Sequence, residues 1–345
     1  MALRTLADRN LGAPFLARSR REKWGFLWEA ELAVDDGAIR SADLTAMDHA
    51  RRERRRALIV PREHGAWGLL LVPLITGAGV AFRESTHVIP VLLLLVAALA
   101  LFWLRTPAES LLGTSAMRAQ SDDERRAVVS VISALGAIAA LALGRLLWDG
   151  RNPVLWLIGA AAAAAFILQA LLRLMWGRAP SPVRPGEARR PLSVQSVHRI
   201  RMFSEIVGTV GLSSSAPAAY YVITGKFGAT AWMLWLANLI FAGNQIHYVQ
   251  VRIHTARVEG VRSKFARGWT FAVGQVVMTA VLCGACWRGL MPWLALIAFV
   301  PILFRGFFYF FRKPAPLVVR RLGWSELGQA VVFCMLFIAA FAVRH

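Results

Sequence analysis

The sequence is poor in acids, nearly free of cysteine and without the short motifs of soluble catalysis. Only 20 of its 345 residues are Asp or Glu, against 40 Lys or Arg, for a net charge of +20. There is no P-loop, no G-x-G-x-x-G fingerprint, no H-E-x-x-H and no G-x-S-x-G, which leaves soluble-style nucleotide or hydrolase chemistry unsupported. The three cysteines, Cys283, Cys286 and Cys334, all fall in apolar stretches, so they imply no disulfide framework. Cys283 and Cys286 have C-x-x-C spacing but no His or Asp neighbour to complete a metal site. They read as small packing residues, with a redox role as the alternative. A pI near 11.5 would fit a nucleic-acid binder, but no recognition motif is present. The basic residues gather instead in alternate loops, so no nucleic-acid partner is expected.

What the sequence has in excess is apolar residues, 57% of the chain with mean hydropathy +0.51. A soluble domain is nearer about 45–50% apolar. The excess falls in nine blocks, near 65–82, 88–104, 127–147, 153–175, 203–224, 229–249, 269–287, 291–311 and 325–343, each near the roughly 20 residues needed to cross a bilayer. Hydrocarbon offers the backbone no partners, so each crossing must satisfy its own hydrogen bonds as a helix. Runs such as Leu92–Leu95 and Ala160–Ala165 lack the alternation of a barrel strand. The predicted fold is an all-α, polytopic transmembrane helical bundle of about nine spans. Its basic loops carry Arg105 and Arg118, then Arg178 to Arg201, then Arg252 to Arg267, then Arg312 to Arg321, and the intervening loops are short and poor in charge. That alternation predicts the N-terminus inside and the C-terminus outside, in the cell inner membrane. Trp67, Trp103, Trp176, Trp269 and Trp324 fall at predicted inner ends and Trp148, Trp156, Trp287 and Trp293 at outer ends, as aromatic belts do. Pro73, Pro217 and Pro301 lie inside spans and are expected to kink them. A Pro-rich linker from Arg178 to Glu187 divides the spans into four and five. Residues 1–60 are polar and basic and form a disordered extension in this reading, with Met47 as a candidate start. N-terminal sequencing of the natural protein checks this, since a mature end at Met1 would refute a start at Met47.

Several polar residues interrupt or border the spans, where ionisable groups are costly and usually functional. Arg62, Glu63 and His64 open the first span beside Gly65, which lets another group approach. Asn244, Tyr248 and Arg252 close the sixth span at spacings of four, on one helix face. They form either an interfacial rim or a polar wall on a cavity, with Arg252 offering a fork to phosphate or carboxylate. Arg105 with Glu109 closes the second span, and Glu205 and Glu326 open the fifth and ninth. Carboxylates at helix starts suit the macrodipole without further purpose; together these could instead ring one cavity. Asp122-Asp123-Glu124 directly precedes the third span and reads as a solvated helix start rather than a metal motif.

The run Pro61-Arg62-Glu63-His64-Gly65-Ala66-Trp67, followed by Pro73 and Gly77, closely resembles the start of the YwiC-like family of bacterial integral membrane proteins. The resemblance is expected to extend over roughly 58–343. A more distant likeness is to the UbiA prenyltransferase superfamily, which implies a nine-helix architecture with diphosphate-holding, Asp-rich motifs after helices two and six. The corresponding zones here, 105–123 and 244–260, lack those aspartates, so Mg²⁺ coordination is unsupported and the cofactor requirement is unknown. The likeness implies a cavity for an amphipathic anion, an isoprenoid phosphate or quinone-type headgroup, with group transfer as the reaction if the protein is an enzyme. The rival readings are a small-anion or metabolite transporter and a non-enzymatic membrane assembly protein. Membrane lipid is the one partner expected in every case.

Overall fold

Helix follows helix from end to end, with no strand among the described residues. The structure, a computed structural model, describes residues 39–61, 64–113, 115, 117–148, 152–177, 194–313 and 318–343, with side chains described from 49 onward except at 64–66, 152, 173–177, 194–202 and 319. Arg62, Glu63, the His64 side chain, residues 1–38 and the Pro-rich linker lie outside these. The chain divides into two units, residues 1–56 and 57–345. Helix α1, Ile39–Ile59, carries the arginine run Arg51 to Arg56. In the second unit come α2 (His64–Ala81), α3 (Val88–Leu112), α4 (Asp122–Trp148), α5 (Asn152–Gly177), α6 (Val194–Ser213), α7 (Ser215–Thr224), α8 (Ala229–Thr255) and α9 (Val261–Trp287). A 3-10 segment, Trp293–Phe299, then leads into α10 (Val300–Phe311), and α11 (Val319–Ala342) ends the array.

Seven of these stretches are long and apolar enough to cross a membrane. The other two expected spans differ for separate reasons. Trp67–Ala81 is apolar but shorter. Helix α8 is long, but Asn238, Asn244 and Gln245 stand in its middle and lower its hydropathy. Much of the array's surface is oily: Leu141, Phe304 and Met335 are each at least 66% exposed. Apolar surface on that scale needs hydrocarbon rather than water around it, so the chain is a helical protein of membrane type.

Packing centres on α2, α7, α8 and α11, with α3–α4 and α5–α6 as flanking pairs and α9–α10 closing the other side. The core joins Leu74 and Ala81 of α2, Tyr220 and Ile223 of α7, Leu234 and Phe241 of α8, and Phe333 and Phe337 of α11. Phe241 stacks on Phe333 with ring centroids 4.0 Å apart.

The prolines act differently from one another. Pro217 has no N–H for the carbonyl of Ser213, and the fifth expected span breaks there into α6 and α7. The Ser214 and Ser215 hydroxyls donate back to Gly211 and Leu212 carbonyls at 2.6 and 2.8 Å. Helix α2 continues through Pro73. Pro301 corrects the expectation of a kink inside the eighth span: it sits in the first turn of α10, just after the 3-10 segment, where a missing N–H leaves no bond unmade. The acidic run 122–124 starts α4 as a capping box. The Glu124 N–H donates to Ser121 Oγ at 3.2 Å, and Glu124 Oε2 accepts from Ser121 N–H at 3.4 Å.

Loops gather by kind. Glu84, after α2, accepts from the Tyr220 hydroxyl at 2.5 Å and from Lys226 Nζ at 3.0 Å, and Arg83 donates to the Phe341 carbonyl. The charge-poor turns after α2 and α7 thus meet the end of α11. At the opposite ends, Arg252, Lys264, Arg312 and Arg321 come together from the α8–α9 and α10–α11 connections.

Two predictions follow from this packing. A Cβ on Gly77 would stand 2.1 Å from the Ala216 carbonyl oxygen, which is backbone and cannot swing aside. Gly77→Leu is expected to cost at least about 2 kcal/mol in thermal unfolding of the solubilised protein, whereas Gly144→Leu, with nothing within 4 Å of its Cβ, costs little. The hydrogen bond from Tyr220 holds the Glu84 carboxyl below its usual range against the opposing effect of burial, and Lys226 adds to the lowering. A carboxyl with a lowered folded pKa contributes stability above its unfolded value, near about 4.3, and loses it as pH falls through the folded value. The Tm gap between the native protein and Glu84→Gln should therefore be full at neutral pH and close in acid below about pH 4; a gap that stays constant would show that the carboxylate is not responsible.

Candidate functional site

Helix α8 carries the polar residues that set the site. Its alternating Ala, Leu and Phe positions face the core, while its last three turns hold Asn244, Gln245, His247, Tyr248, Gln250 and Arg252. Polar groups of these turns reach three other helices. Gln245 Nε2 donates to the Glu326 carbonyl of α11 at 3.0 Å. Gln250 Nε2 donates to Glu205 Oε2 of α6 at 2.8 Å. Thr255 Oγ1 lies 2.8 Å from the Tyr309 hydroxyl of α10.

Tyr248 is buried and its ring supports a guanidinium. Arg305 of α10 lies 4.0 Å above the Tyr248 ring centroid and pairs with Glu326 Oε1 at 2.5 Å. Both partners are largely buried, and Arg305 Nε and Nη2 and Glu326 Oε2 have no hydrogen-bond partner among the described residues. The pair is therefore compensated in charge but incompletely in hydrogen bonding, and the aromatic face supplies part of what water would.

Beyond this pair, at the ends of the helices, lies a pocket of about 270 Å³. Five cationic side chains line it, Arg252, Lys264, Arg312, Lys313 and Arg321, together with Tyr309 and Ser325, and no carboxylate lines it among the described residues. Arg252 and Lys264 stand over the Tyr309 ring at 5.1 and 5.3 Å. Lys264 is 1% exposed and donates to the Arg312 carbonyl at 2.5 Å. Gly268, where α9 leaves helical geometry, lets that first stretch of α9 close on Phe310: a Cβ there would stand 2.8 Å from the Phe310 ring. Such an arrangement can hold an anion by charge and by several forked donors at once.

A second cavity of about 360 Å³ lies between α8 and α9, one to two turns deeper. Leu236, Ile240, Val277 and Val281 line it, with Asn244, His247 and Gln275 among the remaining lining residues.

The residues predicted from sequence thus divide. Tyr248, Arg252 and Glu326 converge around Arg305 and Tyr309. Asn244 lines the deeper groove, its Nδ2 3.5 Å from Met278 Sδ. Glu205 reaches α8 on another face, through Gln250. Arg105 pairs within its own helix with Glu109 at 2.9 Å, on α3, which packs chiefly against α4 and α7. Arg62, Glu63 and His64 lie outside the described residues. Sequence reasoning did not single out Arg305, Tyr309 or Gln275. Arg305 had a readable signal, as an ionisable residue inside an apolar run; Lys264, Arg312 and Arg321 entered only as loop charges. Among the described residues no group of His, Cys, Asp and Glu has the makings of a metal site, and the three cysteines are free.

Residues 60–175 match the YwiC-like protein family. The YwiC-like stretch is shorter than the 58–343 expected from the opening motif, and spans α2 to α5. The basic pocket, built from α8 to α11, lies outside it. No curated protein and no solved structure matches the chain.

Removing one member of the Arg305–Glu326 pair leaves the other buried and uncompensated. Arg305→Leu alone is expected to cost about 3 kcal/mol and Arg305→Leu with Glu326→Leu markedly less. Thermal unfolding of the two single variants and the double variant measures the coupling, and additive losses would mean the pair does not act as one unit.

Proposed function

We propose that this chain is an integral protein of the cell inner membrane that binds an amphipathic anion, specifically an isoprenoid phosphate, with its headgroup in the basic pocket. The observation that carries this reading is the set of five cations around one cavity of about 270 Å³, with no carboxylate lining it among the described residues. Mutual repulsion of such a set in a partly apolar setting is relieved by a bound anion. An apolar groove deeper along the same two helices supports the amphipathic part. His247 of the groove and Arg252 of the pocket are five residues apart on α8, about 8 Å of rise.

In this reading the chain crosses the membrane nine times with its N-terminus inside, α2 and the polar α8 being crossings whose cost is met by their neighbours. The gathering of basic connections at one end and charge-poor turns at the other supports that alternation. The likeness to UbiA enzymes points to the same place, since its second motif zone, 244–260, ends α8 and borders the pocket. Arginine and lysine would there take the part that metal-bound aspartates take in that superfamily. In this reading Arg105 and Glu205 lie toward the same, cytoplasmic side as the pocket.

Titration of the purified protein with farnesyl phosphate tests this. Arg252→Ala and Arg321→Ala should each weaken binding about tenfold, the loss of one charge-assisted contact. Affinity should also fall as salt rises. Unchanged binding in the double variant would place the headgroup elsewhere.

A further inference from the structure

Helix α1 ends in an arginine run that the basic pocket does not use. Residues 51–56 hold five arginines and one acid, Glu53. At about 100° per residue, Arg51, Arg52, Arg55 and Arg56 fall within an arc of about 140° on one face of α1, and Glu53 and Arg54 fall outside it. All four arginines of the arc are exposed, whereas Arg54 is half-buried. Asp48, one turn earlier, offsets one of the charges, so residues 48–56 carry five arginines against two acids, a net +3. The residues that follow have the character of a membrane interface. Leu58 is 1% exposed, and the Ile59 carbonyl accepts from Trp103 Nε1 of α3 at 2.9 Å. Trp103 meets Trp67 of α2 edge to face at 6.5 Å, and tryptophans of this kind collect at the headgroup layer. Arg51 to Arg56 precede Ile59 by three to eight residues of the same helix, roughly 4 to 12 Å along its axis. A charged bilayer surface is still felt over that range at physiological salt.

We propose that this arginine face is a docking surface for the headgroups of anionic phospholipids, which it gathers at the protein's edge ahead of zwitterionic ones. The charge selects the class. Each arginine near an anionic leaflet favours contact by about fivefold, and a zwitterionic headgroup has no net charge to match it. Guanidinium groups also fork onto phosphate oxygens, and four of them in one arc can meet several headgroups at once. Setting the orientation of a chain in the membrane needs only a sufficient number of basic residues beside a span. The gathering of the exposed arginines on one face, with the half-buried one off it, suits a flat charged surface besides. Nucleic acid is the other extended polyanion, and the nearness of the run to interfacial tryptophans favours lipid over it. The inference rests on α1 and stands whether or not the pocket holds an isoprenoid phosphate.

Hydrogen exchange of the full chain, read on peptides covering residues 48–59, tests it in nanodiscs of phosphatidylcholine alone and of phosphatidylcholine with phosphatidylglycerol. Phosphatidylglycerol should slow exchange in these peptides at least about fivefold, the worth of one arginine at an anionic surface, and high salt should remove the effect. Arg51→Gln, Arg52→Gln, Arg55→Gln and Arg56→Gln combined keep a similar helix propensity and should abolish the response. The same four positions changed to Lys should keep most of it, since a charged surface reads charge more than fork geometry. Arg252→Ala with Arg321→Ala should leave it intact, which separates this surface from the pocket. Equal exchange in the two nanodiscs, a response that survives the Gln variant, or its loss in the Lys or the pocket variant would each overturn the assignment. So would protection that a short oligonucleotide or inorganic phosphate gives and phosphatidylglycerol does not. Should the Gln variant not fold, the native comparison, the salt dependence and the Lys variant decide it.

Discussion

A polar side chain on a helix among apolar neighbours must find its partner within the protein, on its own helix or another, since lipid offers none. Helix α8 concentrates this requirement. Asn238 meets Thr76 of α2 at 3.1 Å, Gln245 meets α11, Gln250 meets α6, and Thr255 meets α10. Tyr248 receives Arg305 on its face. Four helices are thereby fixed in rotation about α8 by directional contacts that apolar packing alone would not specify. The same contacts bring the start of α9 and the end of α10 to the last turn of α8, where the basic pocket forms. The pocket is thus a consequence of how α8 is paired, with Tyr309 common to both: its hydroxyl faces Thr255 and its ring lies under Arg252 and Lys264.

Most of the fold was legible because hydropathy over about 20 residues is a strong signal. The segments expected at 88–104 and 127–147 are found within longer helices, and 325–343 overlaps α11 to its end at Ala342. Residues 203–224 form one apolar stretch of span length as expected, and the helix break at Ser214 ahead of Pro217 is the kink the proline predicts. Legibility failed where the signal averages over something local. Residues 291–311 read as one helix, and their first half is a 3-10 segment. Helix α8 satisfied the eye as a span although Asn238, Asn244 and Gln245 pull it below the others, and that deficit marks the helix on which the site is built.

The site was legible in part for a related reason. The spacing of Asn244, Tyr248 and Arg252 is local, and helical periodicity puts them on one side. Glu326 was visible as a carboxylate at a span's start. What joined Tyr248 to Glu326 was Arg305, 57 residues from the first and 21 from the second, and no local pattern encodes that meeting. Arg105 and Glu205 show the converse. Both have the residue type and depth of site members, and both are occupied, one by Glu109 on its own helix and the other by Gln250.

Two kinds of buried charge stand within a few residues of each other here, and their difference bears on function. Arg305 is matched by Glu326, so the pair can exist in a low-dielectric setting with no ligand and serve to hold α10 and α11 together. Lys264, nearly as inaccessible as any residue in the chain, has a carbonyl and a ring but no carboxylate beside it among the pocket's lining. Four further cations share its cavity. Dipoles and ring faces offset such a concentration only partly, because a charge that is solvated but not neutralised still repels its neighbours across a few ångström. The Glu326 carboxylate acts on Arg252 from beside the pocket, but it is already paired with Arg305, and most of the charge of the five cations is left to something that arrives with the opposite sign.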